Sequence, residues 1–208
     1  MKLKQKILLL ISASFLIFLI LVGMIVKFAL LNSYNRIETS FIINNLNLIH
    51  NDIKESSENL SRQLGDWSKW DDTYNYVIGE YPEYLEDNMM DGTFTNLKLN
   101  FIWMCDISGN KLYSKFFDLT SNKEIPFSNS INSYLENNSF LIKEGINMRS
   151  INGIVKIDDM PFIFSSHAIT KSIGDSEPVG IMVMGILINK QWLTQHSEKL
   201  NLPLNIYN

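Results

Sequence analysis

From Ile7 to Val26 the chain runs twenty residues without a charge, broken in polarity only by Ser12, Ser14 and Gly23. As a helix rising about 1.5 Å per residue, such a run spans the roughly 30 Å hydrocarbon layer of a bilayer. A transmembrane helix over residues 7–31 is the first expectation, and the rest of the chain has to be arranged around it. A cleavable signal peptide has a shorter apolar core, about 7–15 residues, that ends in a small-x-small site. Here the far end is Lys27-Phe28-Ala29-Leu30, which offers no such site.

Lys2, Lys4 and Lys6, with the amino terminus, outweigh Lys27 and Arg36 on the other side. The positive-inside rule therefore puts a tail of residues 1–6 in the cytoplasm and residues 32–208 outside it. The expected localisation is the cell membrane, single-pass, with an extracytoplasmic domain. The other apolar stretch, Val179 to Leu187, is about half the length a membrane helix needs and fits a buried strand instead. Residues 32–208 suffice for one core and one domain.

A net charge of −4, with no clustered Lys and Arg beyond the tail, argues against a nucleic-acid partner. Cys105 stands alone, so neither a disulfide framework nor a thiolate metal cluster is available. His50, His167 and His196 fall on three different expected elements without metal-ligand spacing, and no metal or cofactor site is expected. Ser165 and Ser166 lack the strand-turn-helix setting of a nucleophile, and no enzyme activity is expected.

Between about Leu31 and Val77 there is no Pro and one Gly, and Ile42, Leu46, Ile49, Ile53, Leu60, Leu64 and Trp67 recur at helical spacing. A long amphipathic helix is expected there. Its apolar stripe requires a partner, either the domain's own sheet or the same helix of a second subunit, which makes a homodimer the expected assembly. Tyr81-Pro82 ends the pattern and Asp91-Gly92 marks a turn. Leu99 to Asp106 and Lys111 to Phe117 then form a hairpin across Ile107-Ser108-Gly109-Asn110. A helix capped by Ser128 is expected to about Asn137. A second hairpin joins Gly153–Ile157 to Phe162–Thr170 around Asp158 to Pro161. After the loop from Ser172 to Pro178, Val179 to Leu187 makes a central strand, followed by a helix from about Asn189 to Leu200 and the start of another strand at Leu204 to Ile206. The order describes an α+β fold with an antiparallel sheet of about five strands and packed helices.

The stretch from Asp66 to Val77, DWSKWDDTYNYV, is the most unusual in the chain. On one helix, Trp67, Trp70, Asp71 and Tyr74 share a face at i, i+3, i+4 and i+7, setting a carboxylate among three aromatics. A carboxylate so placed must be supplied with donors. Asp71 either fastens backbone amides of a neighbouring loop, or awaits a ligand such as an organic amine or other cation, held by charge and cation–π attraction. Asp72 points to another side, towards Tyr76, as a cap or a solvated charge. Between Asp66 and Asp91 eight acidic residues face one base, Lys69, which forms a solvated acidic surface or a weak cation site. Asn59-Leu60-Ser61 and Asn137-Asn138-Ser139 are glycosylation sequons.

At these residues the chain resembles the CHASE-type extracellular sensory domains, in particular the fourth type. The resemblance rests on the Asp-Trp-x-x-Trp-Asp-Asp-Thr-Tyr string, Tyr84-Leu85, Leu99 to Ile102, Cys105-Asp106-x-x-Gly109 and Pro178-Val179-Gly180, and covers about residues 35–206. It implies a PAS-like, Cache-related domain that controls a histidine kinase, diguanylate cyclase or chemotaxis-type output. Trp67, Trp70, Asp71, Asp72 and Tyr74 are the expected ligand-binding residues. His167, on a strand, and Arg149, where the helical insertion returns to the sheet, join them if they border the PAS-like cavity; a bracing role on the surface is the other reading of Arg149. Receptors of this type carry a second span and an output module, which the sequence to Asn208 does not show. A fragment of a longer receptor or a stand-alone product is expected. A pilin-type structural protein is the alternative class, although Lys6-Ile7 stands where a pilin has its processed Gly and the apolar segment lacks the early Glu.

Overall fold

The computed structural model of the chain describes residues 3–137, 139–173 and 176–206. Lys2, Asn138 of the second sequon, and Gly174-Asp175 of the last long loop lie outside the described residues. The chain divides into two units, Met1–Leu48 and Ile49–Asn208.

Helix α1 spans Leu3–Ser68 and is the whole described structure of the first unit. Its segment Leu10–Phe28 is long and apolar enough to cross a membrane, and none of it is buried within the chain. Leaving one large apolar side chain in water forfeits about 1.5–3 kcal/mol, so the fourteen Val, Leu, Ile, Met and Phe residues exposed along this segment favour an apolar surrounding. Ile37, Phe41, Ile42 and Leu46 are likewise exposed.

The second unit is built on a six-stranded antiparallel sheet in the order β3-β2-β1-β6-β5-β4. The strands are β1 (Phe101–Asp106), β2 (Lys111–Asp118), β3 (Lys123–Ile125), β4 (Ile151–Ile157), β5 (Met160–Ile169) and β6 (Gly180–Leu187). Alternation along the two central strands sorts their side chains between two cores. Ile102, Met104, Met182 and Met184 face one side with Leu60 and Leu64 of α1. Phe101, Trp103, Cys105, Ile181 and Val183 face the other, where α5 (Asn129–Glu136) and α6 (Ser139–Ile146) cover them. Burial of β6 on both faces explains its unbroken apolar run. Helices α3 (Tyr84–Asn88), α4 (Asp91–Leu97) and α7 (Lys190–Leu200) complete the unit, with Tyr84, Phe94, Trp192 and Leu193 joining the first core.

Both expected hairpins form. Gly109 takes the positive φ of 87° in the first, and Asp158 and Asp159 take 49° and 61° in the second, the pair of left-handed residues a two-residue turn needs. Ser128 caps α5 by accepting from Ser130 N. Three expectations are corrected. The helix does not run through to Val77: α1 stops at Ser68 and α2 (Asp71–Val77) starts afresh after an extended Trp70. The break needs neither Pro nor Gly, because Thr170 N donates to Ser68 O at 3.0 Å and the end of α1 is drawn tight by Trp70 N to Trp67 O at 3.4 Å. Asp91-Gly92 opens α4, Asp91 sitting in a first turn that favours an acid, with Lys98 closing it in the left-handed conformation at φ 55°. The antiparallel sheet forms as expected, and the short exposed edge strand Lys123–Ile125 brings it to six strands. Leu204 to Ile206 stays irregular.

Candidate ligand-sensing site

The unusual motif forms a corner between α1, α2 and the end of β5. Trp67 packs on the first core and meets Trp70 edge to face at 5.8 Å between ring centres. Asp71 sits in the first turn of α2, where the helix end favours an acid. Its Oδ1 accepts from Ser172 N at 2.8 Å and from Ser172 Oγ at 3.0 Å. These two bonds hold the Asp71 carboxyl below its ordinary range, with Lys171 adding to the effect. Lys171 Nζ lies 5.1 Å from the centre of the Tyr74 ring. The chain itself thus supplies both a donor pair for the carboxylate and a cation for the aromatic face. The single helical face expected over Trp67, Trp70, Asp71 and Tyr74 is divided by the break at Lys69-Trp70, so tertiary hydrogen bonds bring these residues together rather than helical spacing.

Asp72 is half-buried; the Tyr81 phenol is raised by its bond to Asp87 and the Tyr84 phenol by burial, the Asp72 charge adding to both. Tyr84 OH in turn bonds Thr73 Oγ1 at 2.8 Å in the core. His167 lies on β5, half-buried, with Nε2 2.8 Å from Ser61 Oγ of α1. Burial, then the nearby Lys69 charge, pushes its imidazole below the ordinary value of 6.5. Arg149 lies apart on the surface, its Nη1 3.1 Å from Glu144 Oε2. Cys105 is fully buried, and burial pushes its thiol up to about 12. Among the described residues no three His, Cys, Asp or Glu side chains converge on a metal-sized site.

A separate cleft of about 500 Å³ opens between α1, the α4 end and α7, over the end of β6. Asn59, Leu60 and Gln63 line it from α1, Leu97 from α4, Ile186 from β6, and Trp192, Gln195 and His196 from α7. None of Trp67, Trp70, Asp71, Asp72, Tyr74, Arg149 or His167 lines it. Four of its amides are engaged, Asn59 with its Oδ1 accepting from Arg62 of the same helix. Asn100 Oδ1 accepts from Leu187 N at 2.7 Å while its Nδ2 donates to Phe117 O at 3.1 Å, stitching β1 to both neighbours. Asn189 Oδ1 caps α7 by accepting from Trp192 N at 2.9 Å, and Gln191 Oε1 accepts from Thr120 Oγ1 at 3.0 Å.

Beside the cleft, α7 is clamped to α1. Asp52, 4 % exposed, pairs with His196 Nδ1 and with Lys199 Nζ at 2.8 Å, and Lys199 also reaches Glu55 at 3.1 Å. Burial pushes the Asp52 carboxyl up, but the bonds from Lys199 and His196 outweigh it and hold the group below its ordinary range. The His196 ring stacks on Trp192 with centres 3.7 Å apart. Sequence reasoning missed this clamp and cleft. The available signal was Trp192 and His196 at i, i+4 on α7, with Asp52 set between Ile49 and Ile53 of the α1 stripe, where a buried acid calls for a base.

The CHASE4 domain family matches residues 53–207. The methanogenesis regulatory histidine kinase FilI of Methanothrix harundinacea (strain 6Ac) is 29 % identical over 133 residues, which is 64 % of this chain and 15 % of that protein. The extracellular domain of the histidine kinase vpHK1S-Z8 superposes with a TM-score of 0.52 at 14 % identity, covering 74 % of this chain and 60 % of that one. A domain of a sensory box/GGDEF family protein from Vibrio parahaemolyticus gives 0.44 at 16 % identity over 74 % and 65 % of the two chains. The chain therefore spans a small part of the curated relative and under two thirds of both solved structures. With the family's match covering most of the second unit, the chain belongs to the CHASE4 domain family.

Proposed function

We propose that residues 32–208 form the extracytoplasmic sensing domain of a membrane-bound receptor, anchored by the apolar part of α1 and controlling a histidine kinase, diguanylate cyclase or chemotaxis-type output. The observation that carries this reading is the CHASE4 match over residues 53–207 in a chain whose α1 also holds the apolar segment Leu10–Phe28. Support for a kinase output comes from FilI, a histidine kinase. In this reading the tail at residues 1–6 lies in the cytoplasm, residues 7–31 cross the bilayer, and the exposed apolar side chains of Ile37, Phe41, Ile42 and Leu46 meet the same helix of a second subunit.

The corner around Trp67, Trp70, Asp71, Asp72, Tyr74 and His167 acts as the coupling point, because it ties the end of α1 to β5. A ligand shifts the receptor only if it binds one arrangement of these elements better than another. The test joins residues 1–206, followed by a second membrane span, to the cytoplasmic part of a reporter histidine kinase, at matched expression, and compares wild type with Trp70→Ala and Asp71→Ala. The expected result is a several-fold change in kinase output in both variants. Equal output in all three chimeras, each inserted in the membrane, contradicts the sensory reading.

A further inference from the structure

Resting on the sensory reading, we infer that the cleft between α1, α4 and α7 binds an uncharged, pyranose-sized molecule carrying hydroxyl or amide groups. Its volume of about 500 Å³ lies within the range of small-molecule sites. The character of the occupant follows from which lining groups are already committed. Asn59, Asn100, Asn189 and Gln191 are held by the bonds given above. Gln63 on α1 and Gln195 on α7 both line the cleft, and among the described residues their amides make no hydrogen bond. Each amide offers a donor and an acceptor, so two helices present matched neutral hydrogen-bonding groups to one space.

The rest of the lining gives a charged occupant little to pair with. Among the described residues no carboxylate borders the cleft, so an ammonium group would lose its hydration without a counter-ion. An anion would meet only Lys98, which is exposed, and His196, whose Nδ1 is already paired with Asp52. The remaining wall is apolar, from Leu60, Leu97, Ile186 and Trp192, and Trp192 is steadied by its stack on His196. A sugar ring combines the two demands, an apolar C–H face and a rim of neutral donors and acceptors. Because His196 is at once a wall of the cleft and a member of the Asp52 clamp, an occupant touches the contact that joins α7 to α1.

The experiment uses the full chain in lipid nanodiscs and three probes that share one ring: N-acetylglucosamine, glucosamine and glucuronate. Saturable binding is followed by ligand-observed NMR in wild type, Gln63→Ala and Gln195→Ala, each checked for native circular dichroism. The neutral sugar is expected to bind more tightly than either charged analogue, and each variant to weaken it roughly five- to tenfold. Gln195→Glu, at an exposed position, is expected to reverse the preference towards glucosamine. No saturable binding of the neutral probe overturns the inference, as does equal binding of all three, or affinity unchanged in both alanine variants. Binding without any change in chimera output would leave the site standing and remove the sensory reading. Chimera output that responds to the corner variants while no neutral probe binds would do the opposite.

Discussion

A carboxylate buried on a helix is stable only where bases reach it, and Asp52 meets two. Asp52→Ala removes the acceptor shared by His196 and Lys199, and hydrogen bonds to charged groups contribute about 1.5–3 kcal/mol each. Chemical denaturation is expected to show a loss of that order, with α7 loosening first in hydrogen exchange. His167 provides the pH signature. Its folded imidazole sits below the ordinary value of 6.5, so as pH falls below 6.5 the unfolded chain takes up a proton that the fold resists. Stability is therefore full above pH 6.5 and declines as pH drops towards the folded value; His167→Gln is expected to flatten that part of the curve. Asp52 and Asp71, both held low, contribute stability that is lost only further down, as pH falls through values below 3.8. That Asp71 requires donors is evident from a carboxylate among aromatics. That Ser172 supplies them is not, since 101 residues separate the two. His196 looked solitary for the same reason, its partner lying 144 residues away.

At the scale of elements, the central sheet depends on close approach between β1 and β6. A side-chain carbon on Gly180 would lie 2.3 Å from the Cys105 carbonyl oxygen, a backbone atom with nowhere to go. Gly180→Ala is expected to cost about 1–3 kcal/mol or more, read as a lowered unfolding midpoint with the β1–β6 amides losing exchange protection. Both hairpins, β6, α5 and α7 are legible because turn residues with positive φ, capping Ser128 and Asn189, and runs of one period all agree locally. The elements that escaped lack that agreement. Strand β3 has three exposed residues and no period to detect. The Asp91-Gly92 pair suits a turn as well as a helix start, and the choice is made by Phe94 burying its ring against Phe117 at 5.6 Å. The end of α1 is set by Thr170 bonding Ser68, a contact with no local trace.

For the molecule as a whole, the fold class was legible because hydrophobic period changes cleanly from helix to strand at Leu99. The cleft was not, because it is formed by four segments distant in sequence, each unremarkable alone. The proposed topology puts the CHASE4 unit outside the cytoplasm on a membrane-crossing helix. Cys105 is buried with its thiol pushed up to about 12, which leaves the native chain silent to maleimides. Introduce Ser108→Cys in the exposed β1–β2 turn, or Lys4→Cys in the tail, and treat intact cells with a membrane-impermeant maleimide. Ser108→Cys is expected to be labelled in intact cells and Lys4→Cys only after permeabilisation; labelling of Lys4→Cys alone in intact cells, or of neither before permeabilisation, would overturn the proposed topology.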